Sequence, residues 1–178
     1  MKRLVLALAA TALLATPAAA DLKPGAKAPD FTAKAYLAGK AHTFKLSAAL
    51  KKGPVVMYFF PAAYTGGCNI ETRMFSEAAD QFAAKNATLI GITAGNTDRI
   101  EEYSKDTQYC AGKFALLADP DAKIALEYDT VLRPGRSGRT SYVLSPDGTV
   151  IHAYSELKPQ EHVSQTLGAL TAWKASRK

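Results

Sequence analysis

Two cysteines, Cys68 and Cys110, are the residues of this 178-residue chain whose type and setting first suggest covalent chemistry. Cys68 follows Pro61, Thr65 and a pair of glycines, after an apolar run at residues 55–60. A helix N-terminus presents free N–H groups and partial positive charge, so a thiol there ionises more easily, and the thiolate is the nucleophilic form of cysteine. The Thr65 hydroxyl could bond to the sulfur or to a reacting oxygen. This spacing predicts an activated cysteine.

The elements around Cys68 can be read from the same stretch. Residues 55–60 are β-branched or aromatic and predict a buried strand, which Pro61 ends because it has no backbone donor for a sheet ladder. Beyond Cys68 the apolar residues recur every four positions and predict a helix at 69–85, with Ile70, Met74, Ala78 and Phe82 on successive turns. Cys68 is therefore predicted at or near the first turn of a helix that follows a core strand.

The rest of the chain alternates between strand and helix patterns. Strands are predicted at 31–36, 42–46, 87–93, 114–117, 141–145 and 149–154, and helices at 48–52, 121–128, from 97 or 98 to about 110, and from Pro159 onward. Residues 131–138 read as a loop rich in Pro, Gly and Arg. This order predicts one three-layer α/β domain, in which helices flank a central mixed sheet.

The first twenty residues have the pattern of a secretory signal peptide. Lys2 and Arg3 precede an apolar run at 4–14, and small residues lead up to Ala20. The alternative is a membrane anchor, but the apolar run is short for a bilayer span. Cleavage would leave a single domain at 21–178 with a net charge of +4 instead of +6. The basic residues are spread along the chain, so no nucleic-acid surface is expected, nor any membrane association after cleavage.

A secreted chain with only two cysteines also allows a simpler reading, in which Cys68 and Cys110 form a permanent structural disulfide. Against this, a domain of about 158 residues can build a sufficient core without a disulfide, and Cys68 lies in a turn typical of a catalytic cysteine. We therefore expect a functional pair and keep the structural disulfide as the alternative.

Four segments in order resemble the peroxiredoxins, thiol peroxidases built on a thioredoxin-like fold. They are the G-x-x-A-P-D-F opening at 25–31, Pro61-x-x-x-Thr65-x-x-Cys68, the F-x-L-L-x-D-P-D segment at 114–121 and the R-x-x-Y-V-L-x-P-D-G strand at 139–148. The resemblance covers about residues 25–151. It is nearest to the Q-type subgroup, which includes the bacterioferritin-comigratory proteins.

The resemblance assigns roles around the sulfur. Cys68 would be the peroxidatic cysteine, which attacks a peroxide and becomes a sulfenic acid. The donors to the transition state would be the Thr65 hydroxyl, the backbone N–H groups of Gly67 and Cys68, and the Arg139 guanidinium. Glu71 would orient Arg139.

Each assignment has a structural alternative. Pro61, expected to wall the site against water, ends a strand in any case, and Thr65 could be a helix N-cap. Glu71 could be a first-turn carboxylate favoured by the helix dipole. Arg139 could be a surface charge in the arginine-rich loop.

Cys110 is the candidate resolving cysteine by the same resemblance, on the later helix and near its end. Q-type relatives carry this residue there or five positions after the peroxidatic cysteine, and here that second position is Arg73. A Cys68–Cys110 disulfide would require local unwinding of the helix after Cys68. Two departures are Gly66, where the family often has proline, and the absence of a Cys-x-x-Cys motif, which disfavours a thioredoxin-type exchanger.

The resulting hypothesis is an exported, periplasmic peroxidase without metal or cofactor, monomeric or weakly dimeric. It would reduce hydrogen peroxide or small alkyl hydroperoxides and be reduced in turn by a thioredoxin-like partner. The alternatives are a one-cysteine peroxidase and a thioredoxin-fold redox or binding module with a structural disulfide. Three scattered histidines, His42, His152 and His162, lack metal-ligand spacing and are expected in partly exposed positions.

Overall fold

Residues 21–177 are described by the computed structural model, so the predicted signal peptide lies outside the described residues. The elements in chain order are β1 (Thr32–Leu37), β2 (Lys40–Lys45), α1 (Leu46–Leu50), β3 (Val55–Phe59), α2 (Gly66–Ala83), β4 (Thr88–Thr93), a 3-10 turn (Thr97–Arg99), α3 (Ile100–Lys105), β5 (Ala115–Ala118), α4 (Lys123–Glu127), β6 (Val131–Arg133), β7 (Arg136–Ser137), β8 (Thr140–Leu144), β9 (Val150–Ser155) and α5 (His162–Ala175).

Seven of the strands form one mixed sheet in the order β2-β1-β5-β4-β3-β8-β9. The central strands β3, β4 and β5 run parallel, and α2 makes the crossover between β3 and β4. The outer strands pair antiparallel with their neighbours. A parallel sheet is buried on both faces, so helices must cover both sides of the three central strands. The predicted mixed-sheet α/β architecture is confirmed.

The two faces of the sheet bury separate apolar cores. Along β3, Val55, Met57 and Phe59 face the core that α1 and α4 cover, whereas Val56 and Tyr58 face the core that α2, α3 and α5 cover. This alternation is the period-two pattern of a strand buried on both sides. Tyr58 stacks on Phe75 of α2 with the ring centroids 4.3 Å apart, which fixes α2 on the second face.

The register between β3 and β8 brings distant parts of the chain to one end of the sheet. Phe59, the last residue of β3, pairs with Thr140, the first residue of β8, and the strands run antiparallel. Arg139, the residue before β8, therefore lies at the same end of the sheet as the turn that leads to Cys68. Within residues 21–177, no helix has the length and apolar character needed to cross a membrane.

Two predicted elements differ from the structure near the cysteines. Helix α2 begins at Gly66 instead of residue 69, so Cys68 is its third residue. The helix predicted to reach Cys110 ends at Lys105, and Cys110 lies in the following turn. The Asp106 side chain accepts the N–H of Gln108, and this local bond competes with helix continuation.

Three further expectations about the C-terminal third were wrong. The loop at 131–138 contains the short antiparallel ribbon β6–β7. The last helix begins at His162, three residues after Pro159. His162 is fully buried instead of partly exposed, because its ring lies beneath the loop that joins β9 to α5 and bonds to the Glu156 carbonyl.

Candidate active site

Cys68 is buried in the first turn of α2, where the helix N–H groups lack intrahelical acceptors. Thr65 has extended backbone angles at the N-cap position, but its hydroxyl donates to the Ala62 carbonyl (3.0 Å) instead of capping the helix. Thr65 therefore takes the N-cap position that was its structural alternative, although its side chain makes no capping bond. The Thr65 hydroxyl instead holds the turn that carries the thiol.

Arg139 is the group that contacts the sulfur. Its Nη2 lies 3.5 Å from Cys68 Sγ, its Nη1 pairs with Glu71 Oε2, and its Nε donates to the Leu157 carbonyl (2.8 Å). The side chain is only 5% exposed, so the alternative of a surface charge in an arginine-rich loop is wrong. Burial opposes the charge, yet the pKa of Arg139 is raised because Glu71 and Cys68 favour the cation.

Glu71 is completely buried beneath the guanidinium. It is the sixth residue of α2, so it lies beyond the first turn, and the alternative role as a dipole-favoured first-turn carboxylate is wrong. Burial raises the pKa of Glu71 to about 8, although the ion pair with Arg139 pulls it down. A carboxyl group in this position can hold a proton near neutral pH.

Gly67 allows the guanidinium to approach the helix. A Cβ at Gly67 would lie 3.0 Å from Arg139 Nη2, whereas a Cβ at Gly66 would meet nothing within 4 Å. Pro61 ends β3 and is half-buried in the turn that leads to α2. The structure thus brings Cys68, Glu71, Gly67 and Arg139 together, whereas Pro61 and Thr65 shape the turn.

Cys110 is a free, buried thiol in the same apolar core as Cys68, and no disulfide joins the two. Its Sγ–H donates to the Phe114 carbonyl (3.5 Å), and its own carbonyl accepts the Ser76 hydroxyl (2.9 Å). Burial raises the pKa of Cys110 to about 11. This thiol is shielded in the folded state, so a disulfide with Cys68 would require a local rearrangement.

Three groups at the site were missed from the sequence: the Leu157 carbonyl, Ser141 and His162. His162 Nε2 bonds to the Glu156 carbonyl (2.8 Å), and Nδ1 bonds to Ser141 Oγ (2.8 Å) and lies 3.6 Å from Glu71 Oε1. Burial lowers the pKa of His162. No local pattern marks these residues, because the contacts that link them to Arg139 and Glu71 join segments far apart in sequence.

The arrangement is suited to an anionic sulfur nucleophile. A fixed guanidinium and the positive end of a helix both favour negative charge at Cys68 and at an oxygen that reacts with it. Among residues 21–177, no cluster of three His, Cys, Asp or Glu side chains could hold a metal ion.

Comparison with known proteins gives a consistent picture. The AhpC/TSA family profile matches residues 24–153. Chloroplastic peroxiredoxin Q of rice (Oryza sativa subsp. japonica) is 31% identical over 149 residues, which cover 82% of this chain and 65% of the rice protein, less than two thirds of its length. A Mycobacterium tuberculosis protein named as a peroxiredoxin is 31% identical over 135 residues, 72% of this chain and 84% of that protein.

The crystal structure of the M. tuberculosis peroxidoxin BcpB superposes with a TM-score of 0.73 at 28% identity, covering 85% of this chain and 97% of the other. The thioredoxin-like fold predicted from the sequence is thereby confirmed.

Proposed function

We propose that this chain is a thiol peroxidase with Cys68 as its peroxidatic residue, because it belongs to the AhpC/TSA family and within it to the peroxiredoxin Q subgroup. The observation that carries the proposal is the buried Arg139 guanidinium, which bridges Glu71 and the Cys68 sulfur. A carboxylate and a backbone carbonyl hold this cation against the thiol. A buried cation in that position stabilises the thiolate form of the cysteine.

The reaction follows from this geometry. The Cys68 thiolate attacks the terminal oxygen of hydrogen peroxide or a small alkyl hydroperoxide, forming an S–O bond as the O–O bond breaks. The leaving hydroxide or alkoxide takes a proton from the solvent, equivalent to the one that the thiol released on ionising, and departs as water or alcohol, while the sulfur becomes a sulfenic acid. The negative charge that develops on the oxygens is met by Arg139 Nη2 and by the first-turn N–H groups of α2. The Thr65 hydroxyl and Pro61 complete the wall of the turn.

Cys110 is the proposed resolving residue. Its thiol would displace the hydroxyl group of the Cys68 sulfenic acid, releasing water and forming a disulfide that a thioredoxin-like dithiol then reduces. Support comes from the shared core, in which Phe60 and Tyr103 accompany both cysteines. The first turn of α2 and the turn at 106–112 would have to open to join the two sulfurs.

A one-cysteine cycle is the second candidate. It is favoured by the complete burial of Cys110 and its raised pKa, both of which slow attack by this thiol. In that cycle an external thiol would reduce the sulfenic acid directly.

The export of the protein is part of the proposal. It is supported by the basic, apolar and small-residue order of residues 1–20. The enzyme would then work in the periplasm as a monomer or weak dimer.

The deciding experiment is the intact mass of reduced protein lacking residues 1–20, taken shortly after one equivalent of hydrogen peroxide. A loss of about two mass units indicates a disulfide and supports the two-cysteine cycle. A gain of about sixteen indicates a sulfenic acid beyond the reach of Cys110 and supports the one-cysteine cycle. An unchanged mass would contradict the peroxidase proposal. The Cys110→Ser variant is the matched control and should show only the gain.

A further inference from the structure

A groove of about 470 Å³, here called the distal groove, lies at the end of the sheet opposite to Cys68. Its lining includes Thr88, the first residue of β4, which pairs with Val55, the first residue of β3. The turn that carries Cys68 follows the last residue of β3, at the other end of the strand. Small-molecule sites have volumes of about 300–1,000 Å³, so the distal groove is large enough to hold a ligand.

The floor of the distal groove is apolar and is assembled from separate elements. Phe44 of β2, Ala49 of α1, Leu89 of β4 and Phe114, which precedes β5, line it and are buried. Leu37, at the end of β1, also lines the groove and is 43% exposed. A single exposed leucine is common, but this one extends an apolar lining out to the solvent. Such a lining favours a ligand with an extended hydrocarbon part.

The charged side chains around this floor all carry one sign. Lys45, Lys52 and Lys113 line the groove, together with His42, and no acidic side chain of the described chain does so. Within residues 21–177, Lys45 and Lys52 have no carboxylate within salt-bridge distance, and Lys113 has only Asp80, at 3.8 Å. A lysine can lay its apolar stem along hydrocarbon while its ammonium group meets an anion.

A neighbouring groove shows that this excess of basic side chains is local. The groove between α2 and residues 107–113 is lined by charges of both signs, from Arg73, Glu77, Asp80 and Lys113. The distal groove instead combines basic charge with an apolar floor, which complements a molecule with one anionic head and one apolar chain. A wholly polar anion would leave the apolar floor without a contact.

We propose that the distal groove binds the anion of a single-chain fatty acid, with the hydrocarbon chain along the apolar floor and the carboxylate against Lys45 and Lys52. These two lysines flank α1, one directly before its first residue and the other two residues after its last. The proposal does not depend on the proposed peroxidase function, because the groove is remote from the sulfur.

The test is isothermal titration calorimetry of the purified protein with dodecanoate, below the concentration at which this acid forms micelles. One dodecanoate should bind per chain with a saturable isotherm. Octanoate has four fewer methylene groups and should bind at least about tenfold more weakly. Dodecyltrimethylammonium has the same chain length and the opposite charge, and it should not bind. An isotherm without saturation for dodecanoate, or equal affinity for the cationic amphiphile, would overturn the proposal.

Variants place the carboxylate in the groove. The double change Lys45→Gln and Lys52→Gln removes two positive charges and should weaken the binding of dodecanoate by about fivefold. Lys51→Gln is the matched control, because Lys51 is an exposed lysine next to Lys52 but outside the lining of the groove. It should bind dodecanoate like the wild type. Equal loss of affinity in the control and in the double variant would refute the assigned site.

A second pair of variants places the hydrocarbon chain. Ala83 is exposed and lines the distal groove, so Ala83→Phe should fill part of it and weaken dodecanoate binding by about tenfold. Ala84→Phe adds the same ring at the next residue, which is exposed and outside the lining, and should leave the affinity unchanged. Wild-type affinity in Ala83→Phe would show that the chain binds elsewhere.

Vesicles of phosphatidylglycerol distinguish a free fatty acid from an anionic membrane surface. The protein should bind dodecanoate and should not sediment with the vesicles. Sedimentation with the vesicles in the absence of dodecanoate binding would overturn the proposal in favour of a membrane surface. These measurements use no peroxide, so failure of the fatty-acid site and failure of the peroxidase proposal give different results.

Discussion

Gly67 lies directly against the Arg139 guanidinium, with its missing Cβ 3.0 Å from Nη2. The neighbouring Gly66 faces open space. The two glycines therefore have different reasons to lack a side chain, although they stand side by side in the sequence. At Gly67 the requirement is the close approach of the arginine that contacts Cys68.

Substitution at these glycines gives a matched pair of variants. Gly67→Ala should push the guanidinium by a few tenths of an ångström and lower the rate constant of Cys68 with hydrogen peroxide by about tenfold, because the reaction depends on the position of this donor. Gly66→Ala should leave the rate unchanged. Competition against a haem peroxidase for limiting peroxide measures both rates. Equal rates in the two variants would show that the approach at Gly67 does not matter.

Arg139→Lys should lower the same rate constant by about 100-fold. Lysine keeps the charge but lacks the planar fork with which Arg139 reaches Cys68, Glu71 and the Leu157 carbonyl at once. Arg133→Lys, at an exposed position in the same arginine-rich segment, is the control and should react like the wild type. Full activity of Arg139→Lys would mean that charge alone suffices.

Glu71 should make stability depend on pH in an unusual direction. Its pKa in the folded protein is about 8, against an ordinary value of 4.5. The folded state therefore binds this proton more tightly than the unfolded state. The stabilisation from proton binding is complete below about pH 4.5 and is lost as the pH rises through about 8.

Urea unfolding at a series of pH values tests this expectation. The free energy of unfolding of the wild type, minus that of Glu71→Gln, should decrease between about pH 5 and about pH 8. The exposed Glu77, paired with Arg73 on the same helix, supplies the control, since Glu77→Gln should change stability by less than about 1 kcal/mol across this range. A constant difference for Glu71→Gln would contradict the raised pKa.

Tyr64 links the turn before α2 to the segment that carries Cys110. It has a left-handed backbone (φ 59°), its hydroxyl bonds to Asp106 (3.3 Å), and the Arg99 guanidinium lies 3.9 Å from its ring centroid. Tyr64→Phe removes only the hydroxyl bond, worth about 1 kcal/mol. If both turns must open, disulfide formation should become several-fold faster, and quenched mass spectra would measure it. Tyr36→Phe, on β1, is the control. A slower reaction in Tyr64→Phe would indicate that the link guides closure.

The elements nearest to Cys68 could be predicted because their causes are local. The apolar run, Pro61 and the four-residue spacing specify a strand, a stop and a helix within thirty residues. The start of α2 was missed because glycine has a low propensity for helix interiors. Here the two glycines occupy the first turn, where that low propensity matters least.

The partners of Glu71 and the true place of Cys110 could not be predicted in the same way. His162 reaches Glu71 from another helix, and the Leu157 carbonyl reaches Arg139 from a loop with no distinctive sequence. For Cys110, the helix predicted from 97 or 98 to about 110 ran into residues that Asp106 diverts into a turn. Long-range burial and a single side-chain bond decided these positions.

The antiparallel pairing of β3 with β8 has a consequence for the newly made chain. Cys68 and Arg139 are 71 positions apart and meet only after Phe59 and Thr140 are in register. Contacts between such distant segments form late in folding, because a long loop must close first. Until then the Cys68 sulfur lacks its contact with the guanidinium. Under the proposed mechanism, reactivity of Cys68 towards peroxide would therefore mark completed folding.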